Sequence, residues 1–95
     1  MCMMKAIWED TVLAESNACI SIEGNQYFPA DSIRMEFFEP STHTTVCSWK
    51  GTANYYDVVV QGKRNASAAW YYAEPSKAAA EIKGYFGFWK GVKVV

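Results

Sequence analysis

Apolar and polar positions alternate along this chain in short runs parted by tight-turn residues, which is the pattern of antiparallel strands. Residues 5–8 and 11–16 flank the acidic pair Glu9-Asp10 and predict a hairpin. In residues 18–23, Ala18, Ile20 and Ile22 fall on one face and Cys19, Ser21 and Glu23 on the other, so a half-buried strand is expected. Gly24-Asn25 ends it, and Tyr27-Phe28-Pro29 follows as a short extended piece. Residues 33–37 fit two states: they alternate as a strand does, yet Ile33 and Phe37 also lie one helical turn apart.

Glu39-Pro40-Ser41 interrupts the pattern, because proline disfavours helix in the residue before it. Two longer strands are predicted over residues 44–49 and 52–61, joined at Lys50-Gly51, and a third over 68–73 after a turn at Gly62-Lys63-Arg64-Asn65. Residues 76–83 read as a helix, with Ser76 or Glu74 as its cap, alanines within it and Gly84 as its stop. Residues 85–90 and 92–95 close the chain as strands. The expected fold is mainly β (α+β by a strict count): one small domain, residues 1–95, of curled antiparallel sheets with one short helix near 76–83.

Register decides which side chains meet. A two-residue turn at Lys50-Gly51 pairs Trp49 with Thr52, Cys47 with Asn54, Thr45 with Tyr56 and His43 with Val58, since directly opposed residues share a face. The other face then carries Thr44, Val46, Tyr55 and Asp57. A four-residue loop in the next hairpin pairs Tyr55 with Tyr72 and Asp57 with Trp70. A slip of one residue at either turn exchanges the faces.

Composition narrows the function classes. At 95 residues, 51% hydrophobic and 16% aromatic, the chain suits one packed domain and not a disordered segment. Nine basic against ten acidic side chains leave a net charge of −1, so neither nucleic acid nor an anionic membrane is an expected partner. The opening Met-Cys-Met-Met-Lys lacks the pattern of an export signal and no window is long and apolar enough to span a bilayer, which predicts a cytoplasmic protein, monomeric or homodimeric. Cys2, Cys19 and Cys47 are odd in number and widely spaced, so free thiols are expected. No CxxC pair offers a structural zinc site, and no metal or cofactor is assigned. Asn65-Ala66-Ser67 matches the glycosylation pattern, a chance match without an export signal.

The candidate chemistry gathers in residues 41–56, which hold the only histidine, one cysteine, a Lys-Gly turn and several aromatics. His43 and Cys47 stand four residues apart, about 13 Å along a strand, too far for a direct dyad. Cys47 reads more simply as a small buried apolar residue. Lys50 beside Gly51 is either a solvated turn residue or an anion anchor, but a phosphate loop needs more glycines and a following helix. Trp49, Tyr55, Tyr56, Trp70, Tyr71 and Tyr72 suit cross-strand packing, yet three strands cannot bury both faces of all six, so some rings line a pocket or an interface. The ligand-binding candidates are Lys50, Tyr55, Trp70 and Tyr72, and the catalytic candidates His43, Cys47, Lys50 and Tyr55. Fully extended, His43 and Lys50 would lie roughly 23 Å apart, so a shared site requires the Ser41-Thr42 loop to fold His43 inward.

A series of motifs runs along the chain: Ala14-Glu15-Ser16, Tyr27-Phe28-Pro29, Ser41 with His43 and Thr45, Cys47 before Lys50-Gly51-Thr52-Ala53 and Tyr55-Tyr56, Trp70-Tyr71-Tyr72, Pro75, the alanine segment into Ile82, and Phe88. Across nearly its whole length the chain resembles a bacterial family, "domain of unknown function 427", also labelled nucleotidyltransferase-like. The family pattern has proline directly after the cysteine, where this chain has Ser48. The nucleotidyltransferase label implies paired carboxylates holding magnesium near a phosphate loop. Glu36 and Glu39 flank a segment without a glycine loop, and Asp57 stands alone in its strand. Two function classes follow. One is a small soluble binding module with an aromatic-lined pocket for a small aromatic or phosphate-bearing ligand; the alternative is a small enzyme with His43 as general acid/base and Cys47, Lys50 or Tyr55 assisting. A third, structural role would use exposed strand edges and aromatics for self-association.

Overall fold

A computed structural model describes residues 3–95. β1 (Met4–Trp8) and β2 (Thr11–Ser16) form the first hairpin, turned at Glu9 and Asp10, both at positive φ as a type I′ connection requires. β3 (Ile20–Ile22) and β4 (Asn25–Tyr27) form a second, and β5 (Phe38–Cys47), β6 (Gly51–Val60), β7 (Lys63–Tyr71) and β8 (Phe86–Phe88) a four-stranded antiparallel sheet in that order. The short β9 (Lys93–Val94) returns to pair with β1. The fold is mainly β, in antiparallel sheets, as the alternation implies.

Three local expectations are revised and one open alternative is decided. Pro40 lies inside β5, where an edge strand tolerates a residue without an N–H, and the interruption there is a register shift between Pro40 and Thr44. Residues 33–37 resolve to the helical side: Met35–Phe37 is a 3-10 turn, while Ile33 makes a single bridge to Ala14. The third strand begins at Lys63, not at 68, because the turn is the two-residue Gln61-Gly62. The helix near 76–83 is a 3-10 segment, Lys77–Ile82, broken at Ala79, and no side chain caps it. Ser76 instead donates its hydroxyl to the Trp49 carbonyl, so a tertiary contact takes the group that local capping would have used. Cys19 and Cys47 are free thiols; Cys2 lies outside the described residues.

The four-stranded sheet has a core on each face. Phe38, Val58, Ala69, Phe86 and Phe88 turn toward β1 and β2, where they meet Ala6, Leu13 and Ala14. On the opposite face Ala53, Tyr55 and Tyr72 pack under Tyr27 of β4 and under Ala79 and Ile82 of the 3-10 segment. The dipeptide Tyr27-Phe28 serves both cores, since successive side chains of an extended segment point opposite ways. That 3-10 segment and the β3–β4 hairpin are the cover the second face needs. Among the described residues no helix is long and apolar enough to cross a membrane.

Candidate functional site

The β5–β6 connection differs from the predicted turn, and the difference builds the site. It is a three-residue loop, Ser48-Trp49-Lys50, so that Cys47 pairs with Gly51, Val46 with Thr52, Thr45 with Ala53 and Thr44 with Asn54. The pairing is displaced by an odd number of residues from Trp49 opposite Thr52, and the faces exchange. Thr45 now shares its face with Tyr55, and their hydroxyls hydrogen-bond at 2.9 Å. The cause lies in residues 74–76. Gly51 takes φ of 110° and passes its backbone within 3.5 Å, measured from where a Cβ would stand, of the Glu74 carbonyl. The Ser76 N–H donates to the Lys50 carbonyl at 3.0 Å, so the loop is pinned from outside the hairpin.

Lys50 is therefore buried, not a solvated turn residue, with 6% of its surface exposed. The same register brings His43 to the Tyr55 face, where the two rings meet with centroids 4.7 Å apart. The extended separation of His43 and Lys50 thus does not apply: one stacks on Tyr55 and the other lines a cavity with it. His43 itself is exposed and outside the lining. Cys47 packs with the second core, and no hydrogen bond joins its thiol to the His43 imidazole among the described residues.

In the next hairpin Tyr55 pairs directly with Trp70, not with Tyr72, and the Asp57–Trp70 pairing is replaced by a register shift between Tyr56 and Val58. Because the Tyr55 partner differs from the predicted one by two positions, Tyr55, Trp70 and Tyr72 keep a common face. Trp70 in turn faces Gly87 of β8. A Cβ on Gly87 would stand 2.6 Å from Cε2 and Cζ2 of the indole, so the ring packs directly against bare backbone. Its Nε1 donates to the Tyr27 hydroxyl at 3.2 Å. Two residues beyond Gly87, and so on its face, Trp89 meets Trp70 edge-on at 6.0 Å and donates its Nε1 to the Ser67 carbonyl at 2.6 Å.

Lys50, Tyr55, Trp70, Tyr72 and Trp89 together line a cavity of about 170 Å³. Two larger depressions, of about 520 and 510 Å³, lie elsewhere, one beside Trp8, Glu9 and Lys93 and one beside Glu15, Asn17 and Asp31. Each is lined by a mixture of polar and apolar residues with a single aromatic ring, Trp8 in the first and Tyr85 in the second. Four of the five cup residues are the ligand-binding candidates of the sequence. Trp89 was missed, although alternation from Phe88 places it with Gly87 on the face opposite the phenylalanines.

Lys50 does not enter the cup unpaired. Its Nζ donates to Glu23 Oε1 at 2.5 Å and lies 5.5 and 5.6 Å from the ring centroids of Trp49 and Tyr72. Burial works against the lysine charge, but the hydrogen bond to Glu23, aided by the nearby Tyr27 and Tyr72, outweighs it and holds the ammonium pKa above its ordinary value. The same bond, with a second from Trp49 Nε1, holds the Glu23 carboxyl below the usual carboxylate range. Burial raises the Tyr72 hydroxyl, against the pull of Lys50.

A lowered folded-state pKa makes the Glu23 contribution complete above the ordinary glutamate value of about 4.3 and lost as pH falls through the folded one. The raised Lys50 pKa gives the mirror case, complete below about 10.4 and lost only at higher pH. The melting-temperature difference between wild type and Glu23→Gln is therefore expected to be flat between about pH 6 and 9 and to shrink below about pH 4. A difference undiminished in strong acid would contradict the ion pair.

A family model described as Domain of unknown function (DUF427) matches residues 2–95. The chain belongs to that family. Comparison with curated proteins gives no match. The family's label names nucleotidyl transfer, and the side chains of this member do not fit a magnesium-nucleotide centre. Among the described residues no three of His, Cys, Asp and Glu converge. Asp57 is not alone as its sequence context implied: it pairs with Glu39 across the strands, but Arg64 bridges both carboxylates at 2.7 Å each and occupies the place between them.

Proposed function

We propose that this DUF427 protein binds a small planar ring compound, aromatic or heteroaromatic, in the cup formed by Lys50, Tyr55, Trp70, Tyr72 and Trp89. The observation that carries this reading is the convergence of four aromatic side chains and one buried cation around about 170 Å³. An apolar void of about 150 Å³ takes one benzene, whereas drug-sized ligands need about 300 Å³ or more. The cup therefore suits one ring, with any larger substituent left outside. Tyr55 and Trp89 lie tilted at 38° and Trp70 stands at 82° to Trp89, so a flat guest meets both faces and edges of π-systems.

The catalytic alternative draws on His43 stacked against Tyr55, with Tyr55 bonded to Thr45. It would need a substrate reaching from the cup over Tyr55 to the imidazole. Titration with benzamide, followed by the indole N–H resonances, is expected to shift Trp70 and Trp89 and leave Trp8, which lies in the other sheet, unmoved. Trp70→Ala is expected to weaken that binding by about tenfold or more, a loss of about 1.4 kcal/mol. If millimolar benzamide moves none of the indole signals, or moves Trp8 equally, the cup is not a ring-binding site.

A further inference from the structure

The polar groups in the cup wall are mostly committed already. The Trp70 N–H goes to Tyr27, the Trp89 N–H to the Ser67 carbonyl and the Tyr55 hydroxyl to Thr45. What the wall offers a ligand is ring surface, the Tyr72 hydroxyl and the ammonium of Lys50, one of whose three N–H donors is taken by Glu23. That donor is half of a neutral pair. The Lys50 side chain is 8% exposed and that of Glu23 52%, so the carboxylate caps the buried cation from the solvent side.

Glu23 is also held in place by its fold. It receives a second hydrogen bond from Trp49 Nε1 at 3.4 Å, and it begins the β3–β4 turn at φ 54°, a left-handed conformation that favours glycine, asparagine or aspartate over glutamate. The hairpin that carries it is anchored by Ile20, Ile22 and Tyr27 in the second core. A carboxylate thus pairs with the one cation among the lining residues, from a position whose backbone prefers other residues.

We propose that Glu23 sets the specificity of the cup, reserving it for neutral rings that carry a hydrogen-bond acceptor, such as a carbonyl or carboxamide, and excluding anionic analogues, phosphate esters among them. The inference rests on the cup being the ligand site. Taking an anion out of water requires an uncompensated positive partner. Here the positive charge is already paired with the Glu23 carboxylate, which itself lies outside the lining of the cup, so the anion finds no free counter-charge. A neutral carbonyl accepts an N–H from Lys50 without bringing a second negative charge, and its desolvation is less costly.

Benzamide and benzoate form a matched pair for the test, equal in shape and different in charge. At neutral pH the whole protein is expected to bind benzamide about tenfold tighter than benzoate, read from the Trp70 and Trp89 indole signals. In Glu23→Gln the preference is expected to vanish or reverse through tighter benzoate binding. Glu23→Asn, which suits the left-handed turn better, is expected to do the same with a smaller loss of melting temperature than Glu23→Gln. Benzoate binding as tightly as benzamide to wild type, or a preference unchanged in both variants, would overturn the role of Glu23 while leaving the cup as a ring site. Neither compound shifting the cup signals in any of the proteins would overturn the cup itself, and this inference with it.

Discussion

Truncating Phe28 to alanine is expected to cost the fold about 3–5 kcal/mol, the range for deleting a fully buried aromatic ring. Phe28 is 0% exposed, meets Phe88 edge-on at 5.5 Å and exchanges two backbone hydrogen bonds of 2.8 Å with Phe86. Its ring lies in the core between the sheets, and its backbone links β4 to β8. A domain of this size is stabilised by about 5–14 kcal/mol at 0.05–0.15 per residue, so one truncation removes a large share. Urea denaturation would read the loss as a fall in midpoint with the slope retained. A cost below about 1 kcal/mol would mean that the void collapses freely, against the packing described.

Gly87→Ala carries the second large effect, on the cup itself. Space and not backbone freedom makes glycine necessary there, since the new methyl would stand 2.6 Å from two indole carbons of Trp70. The ring is restrained by the Tyr27 hydroxyl and by the edge of Trp89, so it cannot simply retreat. Overpacking of this kind costs about 1–3 kcal/mol, and the displaced indole is expected to fill part of the cup and weaken benzamide by about tenfold or more. The double variant Gly87→Ala with Trp70→Ala, which removes the indole and the clash together, is expected to bind no more weakly than Trp70→Ala alone, because the two changes act through one ring. Wild-type stability and binding in Gly87→Ala would refute the close packing of Trp70 on β8.

Particular residues show where reading the chain sufficed. The hairpin of β1 and β2 follows from Glu9-Asp10 between two alternating runs, and it forms with that turn. Tyr55, Trp70 and Tyr72 could be put on a common face from alternation alone, because the actual pairing differs from the expected one by an even step. Alternation from a two-residue turn puts His43 and Thr45 on the wrong face, because the actual β5–β6 pairing differs by an odd step. Nothing within residues 44–61 announces that Ser76 will hold Trp49 and Lys50 by their carbonyls.

Strand identity, antiparallel order and the aromatic character of one sheet face are thus local properties of the chain, set by side-chain alternation at a period of two and by turn residues at fixed offsets. The pairing of Lys50 with Glu23 from a hairpin 27 positions away, the packing of Trp70 on Gly87 and the arrival of Trp89 are long-range contacts. They come into being only when the β3–β4 hairpin, residues 74–76 and β8 dock on the same face, because the free energy that selects them is burial shared among segments, and no segment carries it alone.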